Sequence, residues 1–138
     1  RLSTTIGNLG AVALERGDLA AAERHLEASV AIGERLGLPK SIAEDLNNLA
    51  DLALRRNELD LADARLNRAM ALVEANGLDR VRPFVEATAG QAAAARGDLA
   101  KACGLWSASA RALEAMDDQT AQAVAALADD AGCKAASG

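Results

Sequence analysis

The side chains best suited to chemistry in this chain are few and far apart. There is one histidine, His25, two cysteines, Cys103 and Cys133, one tryptophan, Trp106, one phenylalanine, Phe84, and no tyrosine. A single imidazole excludes a multi-histidine metal centre and leaves no partner set for a histidine-based triad. His25 lies between Arg24 and Glu27 on a charged stretch and reads as solvated. Neither cysteine has a histidine near it in sequence, and nothing suggests thiolate activation. Well separated in an acidic, alanine-rich chain, the two read as reduced cytosolic thiols. Carboxylates are plentiful, but Glu44, Asp45 and Asp51 fit a solvated or groove-lining surface better than an acid/base pair. Arg16-Gly17-Asp18 and Arg96-Gly97-Asp98 spell an adhesion-type tripeptide, yet their spacing gives both a structural explanation below. No cofactor is expected, and no catalytic residue is assigned.

Composition narrows the classes further. Half of the 138 residues are hydrophobic, with alanine about one residue in four, while aromatics make up 1%. Small apolar side chains suit close helix packing, whereas a β-sandwich wants β-branched and aromatic ones. The net charge is −5, with both signs interspersed, so the basic stripe of a nucleic-acid or anionic-membrane binder is missing. Aromatic platforms for stacking single-stranded bases are missing too. No apolar run approaches the ~20 residues of a bilayer span. The sequence starts at Arg1 without a methionine and is read as a piece of something longer, placed in the cytoplasm.

The elements that must position any site emerge from self-similarity. Arg16-Gly17-Asp18-Leu19 returns as Arg56-Asn57-Glu58-Leu59 and, after an equal step, as Arg96-Gly97-Asp98-Leu99. Gly37, Gly77 and Asp117 keep the same step, as do Asn8 with Asn48, Leu9 with Leu49, and Gly10 with Ala50 and Gly90. Each unit reads as two helices. In the first, Ile6, Leu9, Ala13 and Leu14 recur at helical spacing, Gly17 stands where a left-handed terminating residue is wanted, and Asp18 can cap the next helix. Leu19, Ala22, Leu26, Ser29, Val30 and Gly33 continue to Gly37. The second unit repeats this with a break at Asn57 and an end at Gly77. The third has helices of about Arg80 to Arg96 and Asp98 to Met116, with Pro83 in the first turn. Both tripeptides therefore fall in turns between helices. The 118–131 segment carries Ala121, Val124, Leu127 and Ala128 on one face, as a terminal cap should. Ala22, Ala62 and Ala102 are the close-approach positions, with Leu26, Leu66 and Trp106 filling the gaps between helices. Trp106 is accordingly a core residue.

These positions resemble the tetratricopeptide repeat. The matching pieces are Ile6, Leu9-Gly10, Ala13, Ala22 and Leu26; then Leu46, Leu49-Ala50, Ala53, Ala62 and Leu66; then Ala89-Gly90, Ala93, Ala102 and Trp106. Aliphatics or alanine replace the usual aromatics, and Glu86 stands where a large residue belongs. The step from Arg16 to Arg56 is also longer than the period usual in the family. The long period resembles the kinesin light chain variant and the C-terminal repeat arrays of bacterial signalling ATPases and transcriptional regulators. Ala92 to Met116 is similar to the last repeat of those regulators.

The resemblance implies an all-α fold: a right-handed α-solenoid of three helix pairs plus a C-terminal capping helix. The chain is then one domain, 1–138, with repeats of about 1–38, 39–78 and 79–117 and a cap and tail at 118–138. It also implies a concave wall lined by the first helix of each pair. Carried over by register, that wall holds Asn8, Asn47, Asn48, Asp51, Arg55, Thr88 and Gln91. Side-chain amides both donate and accept, so an asparagine row can pair with an extended peptide backbone without reading its sequence. The chaperone-type carboxylate clamp is not expected, because Phe84 and Thr88 stand where that subgroup carries basic residues. The expected function is a non-catalytic scaffold that binds a peptide or partner segment within a larger bacterial regulatory protein, without direct nucleic-acid or membrane contact. The alternative is a self-association module forming a homo-dimer.

Overall fold

The computed structural model describes residues 17–133. Among them are six helices and no strand: α1 (Leu19–Leu36), α2 (Pro39–Arg55), α3 (Leu59–Asn76), α4 (Arg82–Ala95), α5 (Leu99–Ala115) and α6 (Thr120–Asp130). The helix expected before Gly17, with Ile6, Leu9 and Asn8, lies outside the described residues. The chain falls into two compact units, Arg1–Val81 and Arg82–Gly138. In the first, α1 packs on α2 and α2 on α3; in the second, α4 packs on α5 and α5 on α6. Within each unit, helices packed on their sequence neighbours give the pattern of a helical repeat.

The turns explain why the helices stop where they do. Gly17, Asn57 and Gly97 have φ of 79°, 59° and 84°, and Gly37, Gly77 and Asp117 have φ of 66°, 60° and 56°. The repeat step thus marks left-handed backbone at every one of these corners, including the two where asparagine and aspartate must bear it. The following residue then bonds back across the helix end: Leu38 N to Gly33 O at 2.9 Å, Glu58 N to Ala53 O at 2.8 Å, Leu78 N to Val73 O at 3.0 Å, Asp98 N to Ala93 O at 2.9 Å, and Asp118 N to Leu113 O at 2.9 Å. This six-to-one closure satisfies a carbonyl the helix end would otherwise leave free. It recurs at even intervals, so turns within a pair and between pairs are one motif. Asp18 and Asp98 each accept a bond from a first-turn amide, Ala21 N and Lys101 N, both at 3.1 Å. These carboxylates of the two adhesion-like tripeptides are helix caps.

The core follows the register. Ala22, Ala62 and Ala102 are fully buried, and Leu26, Leu66 and Trp106, each one helical turn further on, are also buried. Pro39 and Pro83 fall in the first turns of α2 and α4, where a missing amide costs little. α4 begins at Arg82, after a tight turn in which Val81 N bonds to Leu78 O at 3.0 Å. The start is later than the periodicity suggests. Glu86 stays half-buried, and burial raises its carboxyl above the ordinary value against the opposing field of Arg82. In α6, Ala121 and Val124 are buried, and Leu127 and Ala128 pack against the cluster of Trp106 and Leu113.

One reading is overturned. Cys103 and Cys133 are not two thiols but a disulfide, with Cα atoms 5.5 Å apart. Separation along the chain misleads here because α5 and α6 form a hairpin centred on residue 118. Residues equidistant from that turn meet. A disulfide-bonded pair gives no support to a reducing, cytoplasmic setting.

Candidate protein-interaction surface

α2 divides its faces by helical period. Ile42, Ala43, Asp45, Leu46, Leu49, Ala50, Leu52 and Ala53 are buried, which leaves one narrow stripe of the helix facing outward. Asn47, Asn48 and Asp51 are partly exposed and Arg55 is exposed. Asn48, Asp51 and Arg55 stand at i, i+3 and i+7 along one stripe. Asp51 accepts from Arg55 at 3.4 Å, a one-turn ion pair whose side chains are 32% and 42% exposed; solvent screening makes such a pair weak and easily exchanged. Asn47 differs from its neighbours: its Oδ1 is buried and has no hydrogen-bond partner. A buried acceptor left unpaired is costly, and a donor brought to it would recover that cost. Glu44, one turn earlier, has its carboxyl raised by burial, opposed by the nearby Lys40 charge.

Asp45 does not belong to this surface. It is 5% exposed and takes a very short hydrogen bond from the Ser29 hydroxyl of α1. Burial pushes its carboxyl up from 3.8 to about 6; the Ser29 bond works the other way, and the Glu44 charge adds a smaller push upward. Its grouping with Glu44 and Asp51 as solvated or groove-lining is therefore corrected. The signal was available in the register, since one repeat later the same slot holds the apolar Val85, itself buried.

The second unit carries the corresponding helix in altered form. Asn47, Asn48, Asp51 and Arg55 become Ala87, Thr88, Gln91 and Ala95 in α4. Thr88 is 7% exposed, and its hydroxyl donates to Phe84 O of its own helix at 3.1 Å. Gln91, one turn on, is partly exposed. Ala87 O accepts from Trp106 Nε1 at 3.1 Å. Of the expected wall, then, Asn47, Asn48, Asp51 and Arg55 share one side of α2, Thr88 and Gln91 lie on α4, and Asn8 is outside the described residues. Among the described residues no group of three histidine, cysteine, aspartate or glutamate side chains could hold a metal ion. None of the described helices is long and apolar enough to cross a membrane.

A family model described as tetratricopeptide repeat matches residues 1–75. The chain belongs to the tetratricopeptide repeat family. No curated protein and no solved structure matches it. Tetratricopeptide repeats are non-catalytic modules that generally mediate protein–protein interaction. The matched residues take in α1, α2 and nearly all of α3. The α4–α5 pair follows beyond them with the same turns, Gly97 and Asp117 repeating the geometry of Asn57 and Gly77.

Proposed function

We propose that this tetratricopeptide repeat chain is a non-catalytic scaffold that takes an extended peptide or partner segment on the outward stripe of α2, as one arm of a larger bacterial regulatory protein. The observation that carries the reading is the stripe itself: Asn48, Asp51 and Arg55 stand partly or fully exposed at one-turn spacing on α2, with Asn47, whose side-chain oxygen has no partner, beside them. Side-chain amides both donate and accept, so the partly exposed Asn48 can pair with a peptide backbone. Asp51 and Arg55 pair across a long, solvent-screened distance on that stripe and can re-pair with a guest's charges at little cost. The partner is a protein segment and not nucleic acid, because a chain of charge −5 repels phosphate backbones. Panning a random peptide library on the wild-type chain, then measuring the enriched peptides against Asn47→Ala and Asn48→Ala/Asp51→Ala, tests this. Loss of roughly tenfold or more in affinity, about 1.4 kcal/mol, supports it. Equal binding to wild type and both variants refutes it. Light scattering on the same samples reports the alternative, since a self-association module gives a mass that rises with concentration.

A further inference from the structure

The disulfide joins Cys103, early in α5, to Cys133, in the turn that follows α6. We propose that it is a redox latch on α6: oxidised, it holds the helix over the Trp106 cluster, and reduced, it lets α6 leave and uncovers the apolar face of α5.

Three observations carry this. First, α6 rests chiefly on one neighbour, α5. It has 11 residues, of which Ala121 and Val124 are buried, and a helix so short does not persist in water unless its packing holds it. Its start is tied by a bond from Thr120 N to Asp118 Oδ1 at 2.8 Å, while the side chain of the cap residue Gln119 supplies none. Second, both cysteines border an open groove of about 310 Å³, together with Trp106, Arg111, Ala128 and Asp129. A small dithiol can enter there, whereas a disulfide sealed in a core is out of its reach. Third, the face beneath α6 is built to notice its departure. Trp106 is 3% exposed and Leu113 fully buried, with Ala110, Met116 and Leu127 packed around them.

The chemistry is thiol–disulfide exchange with a dithiol reductant. One reductant thiolate attacks a sulfur of the Cys103–Cys133 bond, forming a mixed disulfide and releasing the other cysteine as a thiolate. The second reductant thiol then displaces the first cysteine. Two electrons pass from the dithiol, which leaves as a disulfide, and its two protons end on Cys103 and Cys133. An oxidising dithiol-disulfide couple runs the same steps backwards. The latch lies on the second unit and is independent of the peptide-binding reading of α2.

Hydrogen exchange and tryptophan emission on the full chain, oxidised and then treated with dithiothreitol, provide the test. Trp106 is the single tryptophan, so its emission reports this cluster alone. On reduction, amides of α6 are expected to exchange at least roughly tenfold faster and Trp106 emission to move to the red, while α3 amides keep their rates. Reoxidation restores both. The Cys103→Ser/Cys133→Ser variant should match the reduced chain and ignore the reductant. Unchanged α6 exchange and emission on reduction overturns the latch. So does equal acceleration in α4, α5 and α6, which makes the bond a staple for the whole unit.

Discussion

The two units solve one packing problem with different side chains. In the first, the register sets a leucine, Leu66, with an alanine slot at Ala50. In the second, the same register holds Trp106 and Gly90. A Cβ built on Gly90 would sit 2.5 Å from the indole Nε1 and 2.6 Å from Cδ1 of Trp106, far inside contact distance. The glycine is there because the tryptophan is. Polar burial diverges as well. Ser29 of α1 gives its hydroxyl to the buried Asp45, whereas Ser109, two repeats later in the same slot, donates to the backbone carbonyl of Pro83 at 2.6 Å. The first unit thus places an ionisable group in its core where the second has Val85. The repeat keeps the places where volume and hydrogen-bond donors are needed, and leaves open which residues supply them.

Exchanging the two solutions measures how far they are separable. The largest effect belongs to Gly90→Ala, which overpacks the indole and should cost about 2–3 kcal/mol in denaturant unfolding. Adding Trp106→Leu imports the first unit's pairing, so the double variant should be less damaged than the two single costs summed. Strict additivity would show that Gly90 and Trp106 are not coupled.

Next comes Asp45. Its folded value lies above the ordinary one, so the folded state holds the proton more tightly than the unfolded chain. The resulting advantage is complete below about pH 4 and is lost as pH rises through about 6. Asp45→Asn keeps an acceptor for Ser29 and cannot ionise. Unfolding free energies measured from about pH 4 to 8 should be flatter in this variant than in wild type, with the variant more stable above about pH 6. Parallel curves would remove Asp45 as their cause.

Smaller effects separate the turns. Asp98→Ala removes a cap that the corresponding Glu58 does not supply and should cost about 1 kcal/mol; Glu58→Ala should cost much less. Asn57→Gly relieves an asparagine at φ 59° and should raise stability by a few tenths to about 1 kcal/mol. A lower melting temperature for Asn57→Gly would mean that the asparagine side chain supports the turn.

Much of the helical frame was legible in sequence because it rests on local signals. Gly17, Asn57 and Gly77 mark their corners through backbone preference, and the cap at Asp18 follows within one turn; Asp117 is marked only by its place in the same register. The alanine slots and the face of α6 were legible from helical period. What escaped depends on pairs distant in sequence. The register could have marked Asp45 as buried through Val85 one repeat on, but its partner Ser29 appears only in the fold. The Cys103–Cys133 bond becomes visible only once α5 and α6 are folded about residue 118. The family resemblance could propose the stripe on α2, but it could not distinguish Asn47, with its unpaired carbonyl, from Thr88, whose hydroxyl is taken by Phe84 O.

The even spacing of the closing bonds, at Leu38, Glu58, Leu78, Asp98 and Asp118, has a consequence for how such a chain can change length. One residue inserted into a helix turns everything beyond it by about 100°, which would carry the alanine slots out of contact and bring charged positions inward. Single-residue insertions are therefore tolerable only at the corners, where a loop can absorb them. A whole helix added with its turn restores the corner geometry but swaps first-helix and second-helix faces. Adding or removing a full helix pair leaves every slot where it was, so the array can lengthen or shorten without penalty to its interior only by complete repeats.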